Sequence, residues 1–251
     1  MSFSIAVAGK GGSGKTSIAS LAIRYLTKNG RRPILAVDAD PNANLGESLG
    51  LAVGETIGST VASFNQEKIN IPPGMTKEAY LEYRLNQVVV ESRGIDLITM
   101  GRGEGPDCYC YPNLLLRKFI EKLSGNYACV VIDNEAGMEH LSRRTTQNVN
   151  ALLLVSDHSI KGVRSIARIR DLVSELKLVV EKQYVVINFV PSVVEPLIAR
   201  ELTRLGLETA AVIPWDEELR ECDIRQKPLL ELPDTSKAVD AVSALMAKVA
   251  A

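Results

Sequence analysis

Ile5-Ala6-Val7-Ala8-Gly9-Lys10-Gly11-Gly12-Ser13-Gly14-Lys15-Thr16-Ser17 decides how the rest of the chain is read. Four apolar residues run into a glycine-rich loop. The loop runs into a segment of helical period formed by Ile18, Leu21, Ala22, Tyr25 and Leu26. Strand, glycine loop and helix is the order in which G-x-x-x-x-G-K-[ST] holds phosphate. Glycines let backbone N–H groups close around phosphate oxygens, and the helix N-terminus adds positive potential. Gly9 to Thr16 is therefore expected to be a nucleotide site, with Ser17 beside it. Lys15 reaches the β/γ phosphates and the Thr16 hydroxyl takes a place on Mg²⁺. The bland alternative is a glycine-rich turn with a chance Lys-Thr; the flanking strand and helix weigh against it.

The same alternation continues outward. Short apolar runs recur at Ile5–Ala8, Ile34–Val37, Ile95–Thr99, Ala128–Ile132, Leu152–Val155, Tyr184–Ile187 and Ala210–Ile213. Runs of this kind, without polar alternation, read as strands buried on both faces of a parallel sheet. Between them lie amphipathic faces, Val163, Ile166, Ile169, Val173 and Leu176 in one, and Val239, Val242, Leu245, Met246 and Val249 in another. Thr235 or Asp234 is the expected cap of the last helix. Strand and helix in alternation predict an α/β fold, a doubly wound, mostly parallel sheet with helices on both faces. One domain over residues 1–251 is expected, with an insertion or lid around 54–94, where no clean period exists.

Composition narrows the partners. The chain has 251 residues, 46% hydrophobic and 24% charged, and a net charge of −1. That balance suits a globular core and offers no basic field for nucleic acid or an anionic membrane. Aromatics at 5% leave few stacking platforms for single strands. No apolar stretch approaches the roughly 18 residues of a membrane span, and the first strand leads straight into the loop, so a cytoplasmic protein is expected.

Further carboxylates belong with the loop. Asp38-Ala39-Asp40-Pro41 ends the second strand and Asp133 ends the strand Val130-Val131-Ile132. Ends of parallel strands converge on one sheet edge, where ligands of this architecture bind. Asp133 has the context of a Walker B aspartate that orders a Mg²⁺-bound water. Aspartates that merely begin turns are the alternative.

The loop carries a second lysine, Lys10, directly after its first glycine. Lys-Gly-Gly-x-Gly-Lys-Thr resembles the deviant Walker A of the MinD/ParA/nitrogenase-iron-protein class, P-loop NTPases of SIMIBI type. The resemblance implies ATP, Mg²⁺ and a nucleotide-sandwich homodimer in which Lys10 reaches the partner's nucleotide, in a role like an arginine finger. Asp38-x-Asp40-Pro41 resembles its switch I, whose second Asp positions the attacking water; Lys10, Lys15 and Asp40 are the implied catalytic residues. Asp133 to Gly137 resembles switch II. Asn188, and Ile213-Pro214-Trp215-Asp216, resemble the segments that hold adenine.

Within the class, Glu135-Ala136-Gly137-Met138-Glu139-His140 resembles the E-A-G-x-E-H string of CooC-type maturation ATPases, and Gly105-Pro106-Asp107-Cys108-Tyr109-Cys110-Tyr111 resembles their C-x-C loop, here within residues 101–112. Asp38 to Leu45 looks like the AcsF branch. These proteins support nickel insertion into carbon monoxide dehydrogenase and acetyl-CoA synthase, the implied client. Two thiolates one residue apart supply only half of a tetrahedral shell, and a two-fold dimer supplies the other half. Zn²⁺ and Ni²⁺ both suit four thiolates, and ordinary loop cysteines remain the alternative. His140 reads as a structural or signalling part of switch II. Cys129 reads as a core residue; Cys222 carries no signal. Two other functions compete. A MinD/ParA-like positioning ATPase needs a basic, bulky-apolar tail, and Ser236 to Ala251 is rich in alanine with only Lys237 and Lys248. An electron donor like the nitrogenase iron protein needs a cluster cysteine after switch II, and none follows Asp133 until Cys222.

Overall fold

Along β1 (Phe3–Gly9) successive side chains enter different cores: Ile5 and Val7 join one, Ala6 and Ala8 the other. The same period of two divides β2 (Ile34–Asp38), where Ile34 and Ala36 face one way and Leu35 and Val37 the other. Strands apolar on both sides need cover on both sides, and helices supply it. The computed structural model describes residues 2–66, 71–102, 118–135 and 148–251.

Among the described residues eight strands form one sheet. After β1 and β2 come β3 (Val90–Glu91), β4 (Ile95–Thr99), β5 (Cys129–Asp133), β6 (Asn148–Asp157), β7 (Val179–Val190) and β8 (Thr209–Pro214). Their order is β3-β4-β2-β5-β1-β6-β7-β8. Every pairing is parallel except that of β3 with β4. All seven apolar runs are strands. The eighth, β3, is two residues long at the edge, and so short a pairing leaves no period to detect.

Helices α1 (Lys15–Lys28), α2 (Leu45–Leu49), α3 (Ile57–Gln66) and α4 (Lys77–Gln87) are followed by α5, whose described part covers 118–124. Then come α6 (Ile160–Glu175), α7 (Pro196–Arg204), α8 (Glu217–Ile224) and α9 (Lys237–Val249). α1 and α9 share one core with β1 and β2, through Ile18, Leu26, Val242 and Met246. α6 and α7 cover β6 and β7 on the opposite face. Each fully buried Leu, Ile or Val contributes about 1.5–3 kcal/mol of burial free energy. The stretch expected as an insertion or lid contains α3, α4 and β3. Thr76 caps α4 by accepting the Ala79 N–H, and Ile57, Val61, Phe64, Leu81 and Leu85 pack on the sheet face made by Leu35, Val37, Ile98, Val130 and Ile132.

The last helix starts one residue later than expected from its caps. Ser236, not Thr235 or Asp234, accepts the Val239 N–H. Asp234 instead takes the Arg24 guanidinium at 2.7 Å. Arg24, only 5% exposed, also donates to the carbonyls of Leu230 and Leu232, so α1 holds the connection before α9. Asp216 ties down the other side. Its Oδ1 accepts the N–H groups of Glu218 and Leu219, capping α8, and its Oδ2 accepts the Ser236 hydroxyl and the Ala238 N–H at the start of α9. Burial alone would raise this carboxyl; the donated hydrogen bonds outweigh it and hold the pKa below the usual range.

One aspartate thus serves two helix starts. Asp216→Ala is expected to destabilise the fold by about 2 kcal/mol, one cap's worth for each helix, read as a shift of the urea midpoint. A midpoint unchanged from wild type would remove that role.

Candidate functional site

Gly9 ends β1 against β6, where a Cβ would lie 2.1 Å from the Val155 carbonyl oxygen. The loop then turns back, with the Ser13 N–H bonded to the Lys10 carbonyl at 3.2 Å. Gly14 has φ +84°, and a side chain there would meet Asn188 Nδ2 at 2.2 Å and the Phe189 ring at 2.8 Å. Only glycine takes that backbone conformation at so close an approach. The end of β7 therefore presses directly on the loop, and Asn188 Nδ2 donates to the Ser13 carbonyl at 2.9 Å while its Oδ1 accepts the Phe189 N–H.

A cavity of about 550 Å³ opens over this loop. Gly11, Gly12, Gly14, Lys15, Thr16 and Ser17 line one side; Asp40, Asn42, Glu47 and Glu135 contribute from the sheet edge. Lys15 is 7% exposed, and its Nζ donates to the Lys10 carbonyl at 3.3 Å. Burial lowers its pKa, and the nearby carboxylates Asp133, Asp40 and Glu135 partly restore it. A phosphate chain would give this cation a charge-assisted hydrogen-bond acceptor in place of the neutral loop carbonyl.

Register brings the carboxylates together. Asp38 is level with Thr99 on one side and Asp133 on the other. The Thr16 hydroxyl donates to Asp133 Oδ2 at 2.6 Å. Asp133 Oδ1 is buried and has no hydrogen-bond partner among the described residues. Burial pushes this carboxyl up to about 6, against the opposing pull of Thr16 and Lys15. A hydroxyl beside a buried carboxylate with an oxygen to spare fits Mg²⁺ held by Thr16, with Asp133 orienting one of its waters.

Asp38 faces another way. Its Oδ1 accepts the Asp40 N–H and its Oδ2 the Leu45 N–H, so it folds the 38–45 turn into α2. Burial pushes it up to about 7 in spite of those bonds. In this structure its oxygens serve the backbone and not the cavity. Asp40 does line the cavity, and accepts the N–H and the side-chain amide of Asn42.

A second cavity of about 200 Å³ lies alongside, lined by Asn188, Phe189, Pro214, Trp215 and Asp216 among others. The four residues expected at the base are thus brought together. The Asp216 carboxylate, however, is fully used in capping, so that side chain has no acceptor left for a base. Phe189 was not singled out from the sequence; its ring lies 6.0 Å from that of Trp215, tilted at 60°. An aromatic residue directly after a strand-end asparagine was the available signal. Cys222, on α8, lines the larger cavity, whereas Cys129 is buried in β5 with its thiol pushed up by burial.

Lys10 stands apart from both cavities. Its Nζ lies 3.6 Å from Asp157 Oδ2, with the side chain 42% exposed. Asp157 is itself held by the Ser159 hydroxyl. Gly137, His140, Cys108 and Cys110 lie outside the described residues.

Two carboxyls with raised pKa give apo stability a sign. Asp38 and Asp133 start from 3.8 and reach about 7 and about 6 in the fold, so the folded state binds protons more tightly than the unfolded one. Their contribution is complete below their ordinary pKa and is lost as pH rises through the folded values. Metal- and nucleotide-free protein is expected to resist urea better near about pH 5 than near about pH 8, with Asp38→Asn reducing the difference. A rise in stability across that interval would contradict the assignment.

Residues 4–229 match the family described as CobQ/CobB/MinD/ParA nucleotide binding domain. An ATP-binding protein of Methanocaldococcus jannaschii is 42% identical, covering 98% of this chain and 97% of that one. The carbon monoxide dehydrogenase accessory protein CooC of Rhodospirillum rubrum is 32% identical over 68% of this chain and 69% of its own length. Among solved structures, the septum site-determining protein MinD of Pyrococcus horikoshii, complexed with Mg-ADP, superposes with a TM-score of 0.74 at 20% identity, covering 99% of this chain and 96% of that one. The loop, the sheet order and these matches agree: the chain is an ATP-binding P-loop protein of the MinD/ParA family.

Proposed function

We propose that this protein is a dimeric ATPase that binds a divalent metal through Cys108 and Cys110 and supports nickel insertion into carbon monoxide dehydrogenase or acetyl-CoA synthase. The observation that carries the ATPase half is the Thr16–Asp133 pair with its spare buried oxygen, placed beside Lys15. Bound Mg²⁺ would neutralise charge on the phosphates. Lys15 holds the β/γ oxygens, the loop amides orient the chain of phosphates, and Asp40 faces the cavity where an attacking water would stand. Lys10 points away from its own cavity, which suits a residue that serves a partner's nucleotide once it leaves Asp157.

The metal half rests on the Glu135-to-His140 string, on the C-x-C loop and on the likeness to CooC. Paired thiolates from two subunits make one four-sulfur site for Ni²⁺ or Zn²⁺. A positioning ATPase is the second reading, favoured by the likeness to MinD, which at 20% identity speaks for the fold. Helix α9 does not itself offer a free apolar face to a membrane. Val239, Val242, Leu245, Met246 and Val249 are buried in the core, so the apolar face of that helix is already spent.

Lys15→Ala is expected to abolish ATP binding, and Asp40→Ala to keep binding while lowering turnover about a hundredfold or more. Lys10→Ala should unfold like wild type yet lose about a thousandfold in turnover and fail to dimerise on ATP analogues in light scattering. An intact dimer with intact turnover would overturn the trans role.

Metal analysis of the dimer is expected to find about one Ni²⁺ or Zn²⁺ per two chains. Either Cys108→Ser or Cys110→Ser should remove it while ATP binding stays. One ion per chain, or metal content indifferent to both changes, would leave an ATPase without the metal function.

A further inference from the structure

Just past the end of β4 the chain is held on two sides. The Met100 N–H donates to the Asp38 carbonyl at 2.8 Å, and the Met100 carbonyl accepts the Gly58 N–H from α3 at 2.8 Å. Two residues on, the exposed Arg102 donates from Nη2 to Asn42 Oδ1 at 3.2 Å. The other end of the same amide serves the site. Asn42 Nδ2 donates to Asp40 Oδ1 at 3.0 Å, and the Asn42 backbone N–H donates to that oxygen at 2.9 Å. Arg102, Asn42 and Asp40 thus form a chain of three side chains from the exit of β4 to the wall of the larger cavity. Asp40 Oδ2 accepts no hydrogen bond among the described residues.

An amide can face two ways, and here its neighbours allow only one. A guanidinium only donates, so it must meet the amide oxygen; a carboxylate only accepts, so it must meet the amide nitrogen. Each neighbour enforces the orientation that the other needs. We propose that Arg102 is a positioning residue for ATP hydrolysis: through Asn42 it holds Asp40 with Oδ1 occupied and Oδ2 left for the attacking water. This role rests on the reading of Asp40 as the residue that positions that water. Without the guanidinium the Asn42 amide is free to turn, and Asp40 keeps only the backbone N–H. Arg102 lines neither of the two cavities, so its effect belongs to turnover and not to ATP affinity. A single hydrogen bond between exposed groups is worth only about fivefold.

Steady-state hydrolysis is measured on full-length protein, with calorimetric binding of a non-hydrolysable ATP analogue alongside. Arg102→Ala should lower kcat about fivefold and leave the analogue's Kd unchanged. Arg102→Lys, which keeps a donor at that place, should recover part of the loss. Asn42→Ala should show a similar loss, and adding Arg102→Ala to it should cost nothing further, because the guanidinium acts only through the amide. Analogue binding at wild-type affinity also shows that the variants are folded. An unchanged kcat in Arg102→Ala would overturn the positioning role. So would weakened analogue binding with kcat intact, the mark of a direct phosphate contact, or losses that multiply in the double variant. Wild type that binds ATP and never turns it over would instead remove the ATPase reading, and this role with it.

Discussion

The Thr16 hydroxyl donates to Asp133 across 2.6 Å, and the geometry of the site follows from that contact. Thr16 stands on the first turn of α1 and Asp133 at the last residue of β5, so the bond fastens the helix that begins at the loop to the neighbour of the strand that leads into it. The bond uses one oxygen and leaves the other buried with no partner among the described residues. An orphaned acceptor in a low-dielectric edge is costly in the empty protein. That cost becomes binding free energy when a cation or its water completes the shell. The same logic applies to Lys15, whose ammonium donates to a loop carbonyl with Asp133, Asp40 and Glu135 near it.

Around that pair the fold is braced from two sides. Asn188 and Phe189 at the end of β7 press on Gly14 and hold the loop's outer turn. Asp216 and Arg24 hold the connection that brings α8 over the cavity. Helix α8 has no fully buried residue; the half-buried Leu219 and Cys222 rest on the core, and the capping bonds at its start hold it there. A wall resting on two half-buried side chains and one carboxylate is easier to shift than one set within a core, which suits the side of a site that must admit and release a ligand.

Asp38 and Lys10 show how parts without a direct place in the cavity still shape it. Asp38 spends both oxygens on the N–H groups of Asp40 and Leu45, and thereby sets where Asp40 stands. Lys10 is drawn aside by Asp157, which follows from an unpaired cation lying within reach of a carboxylate at the end of β6. The exposed ion pair is weak enough to be exchanged for a stronger anion.

Much of this was legible in the chain alone. The seven apolar runs fixed by their composition became seven strands, because a strand covered on both faces can tolerate no polar alternation. The glycine loop between strand and helix pointed to the segment that lines the larger cavity, since its chemistry depends on neighbouring residues and hence on local order. Four features needed the tertiary structure: the two-residue strand β3, the cap at Ser236, the use of Asp216 and Asp38 as backbone acceptors, and the entry of Phe189 and Cys222 into the site. Each depends on which donors or walls arrive from distant segments, and periodicity within one segment carries no record of that. The sequence by itself determined the seven long strands, the loop and the residue types at the sheet edge. Only the folded chain decided which oxygens those residues have left to offer, because hydrogen-bond capacity is allotted by contacts between segments remote in sequence.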